Sequence, residues 1–501
     1  MALDPRTPVI VGTGQLTLRP DDGEHGLGPV DLPIEMMVEA LRRAERDAGT
    51  QRLLAAADSV RVVSTSSCRY RDPAALIATS LGLDGVQTAV TRYGGQLPSR
   101  LLAESAAEIA AGEHDVVLLA GAEAWYSRTQ AMRAGEALPH TEQPEHVAPD
   151  VVIGGDLGMW HEHEMALGIR DPIQVYPLLE QALRVAAGRD LDEHRAMIAT
   201  LWSEFSQVAV DNPYAWDRRG YTPAEVGTVT PANRMVGFPY PKLLNSNERV
   251  DEAAALVVCS TERADALGVP HDRRVYIHAI AEGASPTISE RNDLATSPAA
   301  TSAARALVAA TGVGPDDIAY VDLYSCFPSA VQMQAAALGV ALDPAPTLTG
   351  GMRFAGGPWN NYAMHAIATM ADVLRRDPGA FGVVSANGGY VSKVSMGLYS
   401  TEPTPHRGDV PFRMIDAEPT EAESRTRVLD TEPDGRGTVE TYTVMHDGHS
   451  EPIDGILTCR MPDGRRAWGR IADPAILVAM TKEDVIGRAV TLGPDHDADL
   501  E

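Results

Sequence analysis

A strand–helix rhythm runs from residue 8 to residue 124, breaks off, and starts again near residue 252, which limits this chain to layered α/β folds. PVIVGTGQ (8–15) reads as a buried strand. PIEMMVEALRRAERDAG (33–49) has apolar residues at helical spacing and stops at a glycine. SVRVVST (59–65) predicts a strand, DPAALIATSLG (72–82) a helix, and AVTRYGG (89–95) a strand running into a turn. SRLLAESAAEIAAG (99–112) predicts a helix with Ser99 as N-cap. DVVLLAGAEA (115–124) is almost continuously apolar, as a central strand covered on both faces must be. The second pass offers strands at 275–285, 318–325, 379–389 and 394–400, with helices at 297–312, 328–339 and 360–376. Two such passes predict an internally duplicated α/β unit.

Between them, residues 125–249 are richer in aromatic, His, Arg and Pro residues, and their apolar spacing is mostly helical, so they read as an insertion. Residues 1–124 with 250–270 then form one half and 271–403 the other. From 412 to 501 the pattern changes to short alternating strands separated by DGRG, DGHS and PDGR turns, which predicts a small OB-like β-barrel.

With 501 residues the chain is long enough for several domains. Its formal charge of −27 repels nucleic acid and anionic membrane at long range, so any anionic ligand needs a local basic cluster. The four cysteines form no CxxC pair, which argues against a metal knuckle or a disulfide framework. The first residues lack a signal-peptide pattern and no stretch reaches ~18 apolar residues, so a cytoplasmic protein with no membrane span is expected.

The duplicated unit, the insertion and the segment NRMVGFPYPKLLNSNERVDEAAALVV (233–258) together resemble the thiolase superfamily. The resemblance is strongest to sterol-carrier-type thiolases and to actinobacterial type-1 thiolase-like proteins of the acetyl-CoA acetyltransferase group, which carry an extra C-terminal β-domain. It implies a duplicated five-layered αβαβα thiolase fold with a helical loop-domain insertion. It also implies a CoA thioester as substrate or ligand in lipid metabolism, no permanently bound cofactor or metal, and a homodimer formed through the core.

Relatives of that kind use four loops, and each is altered here. The nucleophilic cysteine's place falls near Gly95, followed by Gln96. The His-Asp-Cys-Phe loop reads Tyr324-Ser325-Cys326-Phe327. The Gly-His-Pro loop has Gly357 before Pro358, then Trp359, Asn360 and Asn361, with His365 expected about two turns into the next helix. The Cys-x-Gly loop reads Ala386-Asn387-Gly388. Nucleophile and base are both gone, so ordinary acyl transfer is not expected. The resemblance leaves two readings: a thiolase-like C–C lyase working by retro-aldol cleavage with Tyr324 as acid or base, or an inert acyl-CoA or lipid-binding protein. Arg218, Arg219, Arg234 and Lys242 are the candidate CoA-phosphate contacts.

Other features have plainer explanations. Cys326 reads as a small buried filler rather than a reactive thiol. Cys68 is a weak alternative nucleophile with no His nearby in sequence. His161 and His163 point to different helix faces, so the HEHE run reads as solvated surface, not a metal pair. GTGQ (12–15) lacks dinucleotide-loop spacing.

Overall fold

The computed structural model describes residues 3–22, 31–155, 158–403, 411–412 and 414–501. The first half begins with β1 (Pro8–Thr17), buried for nearly its whole length, and α1 (Leu32–Asp47) packs on it. Two glycines allow this contact. A Cβ on Gly14 would stand 1.9 Å from the Ala40 carbonyl oxygen, and one on Gly12 would stand 2.2 Å from that of Ala44. β2 (Ser59–Val62), α2 (Pro73–Leu81), β3 (Gln87–Thr91), α3 (Leu97–Ala111) and β4 (Val116–Ala124) follow. Asp72 caps α2 by accepting from the Ala75 amide. α3 starts two residues before the expected position. Pro98 sits in its first turn, where a missing N–H costs nothing, so Gln96 is the N-cap and Ser99 is buried within the helix.

The insertion contributes α4 (Trp125–Arg133), β5 (Val151–Ile153), α5 (Glu162–Ala166), α6 (Pro172–Ala186), α7 (Leu191–Asp211), α8 (Pro223–Gly227), β6 (Met235–Gly237) and β7 (Tyr240–Pro241). The HEHE run is not all solvated surface. His161 caps α5, and Glu164 is buried, accepting the Ser289 amide and hydroxyl. The chain returns to the core with β8 (Asp251–Ser260) and α9 (Thr261–Leu267). β8 is buried throughout and pairs antiparallel with both β1 and β4, as the apolar stretch 253–259 favours.

The second half contains β9 (Val275–Ala284), α10 (Pro298–Thr311), β10 (Ile318–Asp322), α11 (Pro328–Leu338), α12 (Gly351–Phe354), α13 (Tyr362–Arg376), β11 (Phe381–Gly388) and β12 (Lys393–Ser400). The strands run in the order β10-β11-β12-β9-β1-β8-β4-β2-β3-β5, and β1 joins the halves through Val9 and Ile10 opposite Tyr276 and Val275. α3 and α13 each contact strands of both halves, forming a helical layer between them. β13 (Met414–Ala417) adds to β9 in parallel.

The C-terminal strands β14 (Leu429–Asp430), β15 (Gly435–His446), β16 (Pro452–Arg460), β17 (Arg466–Ile471), β18 (Ala489–Leu492) and β19 (Ala498–Leu500) form a second sheet, with α14 (Pro474–Met480) after β17. Its ladder is an open path, β14-β17-β16-β15-β18-β19, and an isolated bridge between Arg470 and Asp497 draws the last segment back towards β17. β6 extends this sheet through Gly237 opposite Met445, and Met235 and Phe238 share a core with Tyr442 and Leu457.

Arg466 fastens this sheet to the second half. It is fully buried, forks onto both Glu440 oxygens at 2.7 and 2.9 Å, and donates to the Ile288 carbonyl at 2.9 Å. Burial alone would raise the Glu440 carboxyl, but the Arg466 hydrogen bond and charge outweigh it and hold it below its ordinary value. Removing one partner of such a pair strands the other charge in a dry site. Arg466→Ala should therefore cost about 3–5 kcal/mol, read as lost amide protection along β15 and β16 in hydrogen exchange.

Candidate functional site

The four loops meet at backbone distance. Gly95, just before α3, lies against Tyr324: a Cβ here would stand 2.5 Å from the Tyr324 hydroxyl and 2.3 Å from the Asn387 carbonyl oxygen. Gln96 lies across the fourth loop, and a Cβ on Gly388 would meet its Oε1 at 1.9 Å. Asn360 ties the third loop to the first by accepting the Gly94 amide at 3.0 Å and donating to the Ser64 carbonyl at 3.1 Å. Gly357 donates its amide to the Asn247 carbonyl at 2.8 Å. Ser325 holds the Met352 amide at 3.1 Å, and Asn361 donates to the Gly121 carbonyl at 2.8 Å.

The groups at this junction are neutral. Burial, with a smaller effect from Cys326, pushes the Tyr324 phenol well above its ordinary value, and its hydroxyl donates to no described residue. Burial pushes the Cys326 thiol up to about 12, so it is no thiolate. Asn387 Nδ2 donates to the Tyr176 hydroxyl at 2.9 Å and faces Cys326 Sγ at 3.8 Å. Among the described residues, the amides of Gly95 and Gln96 have no acceptor, so two N–H groups and a phenol are available to a polarised carbonyl. Cys68 lies elsewhere, beside Tyr70 and Asp31, with its thiol raised to about 11 by burial.

His365 lies in the first turn of α13, not two turns along it. Its Nδ1 meets Gln15 Oε1 at 3.0 Å, and burial drives its pKa down to about 3. Its Nε2 and the Oε1 of buried Glu252 have no hydrogen-bond partner among the described residues, and both side chains line a small cavity of about 10 Å³, room for a single water. Burial raises the Glu252 carboxyl well above its ordinary value. Gly356, at φ +126°, packs over that carboxyl, where a Cβ would stand 2.2 Å from Oε1.

Trp359 holds φ at +45°, an outlier for so large a side chain and worth about 1–3 kcal/mol of strain. Its ring stacks on Trp125 with centroids 5.9 Å apart, and Arg128 lies 4.8 Å over the Trp125 ring.

The description "Thiolase-like protein type 1 additional C-terminal domain" matches residues 416–497. A monomeric SCP2-thiolase-like protein type 1 from Mycobacterium smegmatis superposes with a TM-score of 0.82 at 32% identity, over 100% of both chains. The chain belongs to the SCP2-thiolase-like protein type 1 family. More distant structures share the fold. An Ltp2-ChsH2(DUF35) aldolase matches at 20% identity and TM-score 0.58, covering 79% of this chain and 99% of its own. An acetyl-CoA acetyltransferase from Syntrophomonas wolfei matches at 16% and 0.57, covering 80% and 100%.

In this SCP2-thiolase-like protein the candidate cations are only partly gathered. Burial and the neighbouring Arg353, Arg249 and Arg234 charges lower the Lys242 ammonium. Arg219 forks onto Asp217, which lies 3.9 Å from Arg353. Arg218 donates instead to the Val210 carbonyl. Arg353 completes the cluster and was missed in the sequence reading; a single cation inside GGMRFAGG was the available signal. Tyr176 was missed too, because nothing in α6 marks the residue that reaches Asn387. No group of three or more metal-ligating side chains occurs among the described residues.

Two outcomes follow from this packing. Gly95→Ala should destabilise the fold by about 1–3 kcal/mol through overpacking, and adding Tyr324→Ala should recover part of that in urea unfolding. Glu252 holds its proton to a higher pH in the native state than in the unfolded chain, which releases it at the ordinary carboxyl value. Its contribution is therefore full at low pH and is lost as pH rises towards the raised native value. Unfolding free energies measured from about pH 5 to about pH 9 should fall less steeply for Glu252→Gln than for wild type.

Proposed function

We propose that this chain binds a CoA thioester and performs no acyl transfer on it. The observation that carries this is the Tyr324 hydroxyl standing where a Gly95 side chain would be, which leaves no space for a nucleophile. In this reading the thioester carbonyl approaches the Gly95 and Gln96 amides and the Tyr324 hydroxyl, all neutral donors. The CoA phosphates meet Lys242, Arg234 and Arg353, a positive zone on a chain of net charge −27. Lipid or sterol-related acyl groups are the class that the family name favours.

A second reading is a C–C lyase, favoured by a phenol that stays protonated and by the likeness to the Ltp2-ChsH2(DUF35) aldolase. In retro-aldol cleavage of a β-hydroxyacyl thioester a base takes the β-hydroxyl proton and the Cα–Cβ bond breaks. Its electron pair enters the thioester enolate, which Tyr324 and the amides would stabilise, before Cα takes a proton. Tyr324 fits the donor role. Its raised pKa does not suit it to be the base.

As for assembly, the M. smegmatis relative is described as monomeric, which supports a monomer over the expected homodimer.

The test is calorimetry with acetyl-CoA and a β-hydroxyacyl-CoA, followed by mass spectrometry. Binding without a covalent adduct is expected, weakened roughly tenfold (about 1.4 kcal/mol) by Lys242→Gln. An acyl-enzyme adduct would overturn this reading. Aldehyde or ketone release that is lost in Tyr324→Phe would establish the lyase.

A further inference from the structure

Three aromatic side chains converge on one short segment at the rim of the junction. The Tyr93 hydroxyl donates to the Thr65 carbonyl at 3.2 Å, and Trp125 Nε1 donates to Ser66 Oγ at 2.8 Å. Trp359 stacks on Trp125, and its neighbour Asn360 holds the Ser64 carbonyl. Below them the buried Glu123 carboxylate fixes the Ser66 and Ser67 amides at 2.7 and 2.8 Å, so the segment is a built support. Tyr93 is 64% exposed and Trp359 42%, while Trp125 is partly covered.

The strained backbone at Trp359 places a flat ring outwards instead of into the core. Tyr93 is two residues from Gly95 and Trp359 two from Gly357, so each ring's Cα lies within about 7 Å of a loop residue at the junction. That distance decides which part of a thioester the rings could meet. The adenine end of CoA lies much farther from the sulfur, so the acyl group and the near part of the pantetheine arm are within reach, and of these two only the acyl group differs between thioesters. The area decides against a second copy of the chain. Two partly exposed rings offer roughly 200 Å², against about 800 Å² per partner in a stable interface.

We infer that Trp359, backed by Trp125 and flanked by Tyr93, is a stacking platform that selects thioesters whose acyl group carries a flat ring. This rests on the CoA-thioester reading above. An alkyl chain gains only contact area on an indole, whereas a ring gains oriented stacking as well.

The test compares phenylacetyl-CoA with octanoyl-CoA on the full chain, by calorimetry and tryptophan fluorescence, in wild type, Trp359→Gly and Trp359→Asn. Glycine and asparagine tolerate a positive φ, so relief of strain offsets the lost stack on Trp125, and Tm measured on each variant separates a binding effect from unfolding. Wild type should prefer the ring thioester by about five- to tenfold, and both variants should bring that ratio near one. An unchanged ratio in the variants, or no preference in wild type, overturns the platform while leaving thioester binding intact. Failure of wild type to bind either thioester overturns the CoA reading and the platform with it.

Discussion

At three glycines of the four loops the backbone meets a neighbouring group without a spacer, and this close approach limits what the site can be. Gly95 faces Tyr324 and the Asn387 carbonyl, Gly388 faces Gln96, and Gly356 faces Glu252. At each contact a single added methyl group would overlap an oxygen by an ångström or so. The loops are therefore held as one block, and glycine is the residue that permits it. The same contact removes the space for a nucleophile. At Gly95 that space is taken by the Tyr324 hydroxyl and the Asn387 carbonyl oxygen together, so loop packing and the tyrosine side chain act jointly.

Burial acts in the same direction on every titratable group nearby. It lifts Tyr324, Tyr176, Cys326 and Glu252 and lowers His365, so each favours its uncharged form. What remains at the centre is a set of dipoles: amides, a phenol and amide side chains. Formal positive charge is displaced to Lys242 and Arg353, beside the inserted region. A neutral centre with a cationic margin suits a ligand that is uncharged at its carbonyl and anionic at a distance. It does not suit one that must be attacked by a thiolate.

The core was legible in the sequence because both of its periods are strong. β8 is apolar at nearly every position, and α1 and α13 alternate faces at helical spacing, so element type and order could be read directly. Start points were harder. Ser99 looks like a cap, but Pro98 moves the start of α3 upstream. His365 was misplaced because Trp359–Asn361 form a separate 3-10 turn before α13. Gly95, Gln96 and Gly388 stand in glycine turns of the sequence, and Tyr324 opens the Tyr324-Ser325-Cys326-Phe327 stretch. Tyr176 could not be found this way, because its role depends on where α6 lies in space. The joint between the insertion and the C-terminal sheet was equally hidden, since β6 has only three residues.

A second joint links the C-terminal sheet to the second half of the core. Arg466 donates to carbonyls of the 288–291 segment, and Trp468 Nε1 reaches the Ser289 hydroxyl at 2.9 Å. Arg291 in turn donates to the Tyr390 carbonyl at 2.7 Å, two residues beyond Gly388. The Tyr390 ring packs edge-on against Tyr176, which holds Asn387. A contiguous set of contacts therefore runs from the C-terminal sheet to the fourth loop. Spatial continuity is not by itself coupling, because coupling requires an element with two arrangements. Arg466, Trp468, Arg291 and Tyr390 are all buried at 0–1% exposure, with partners on each side. Such residues behave as a fixed prop. The last of these contacts is that of Tyr176 with Asn387, whose carbonyl oxygen faces Gly95.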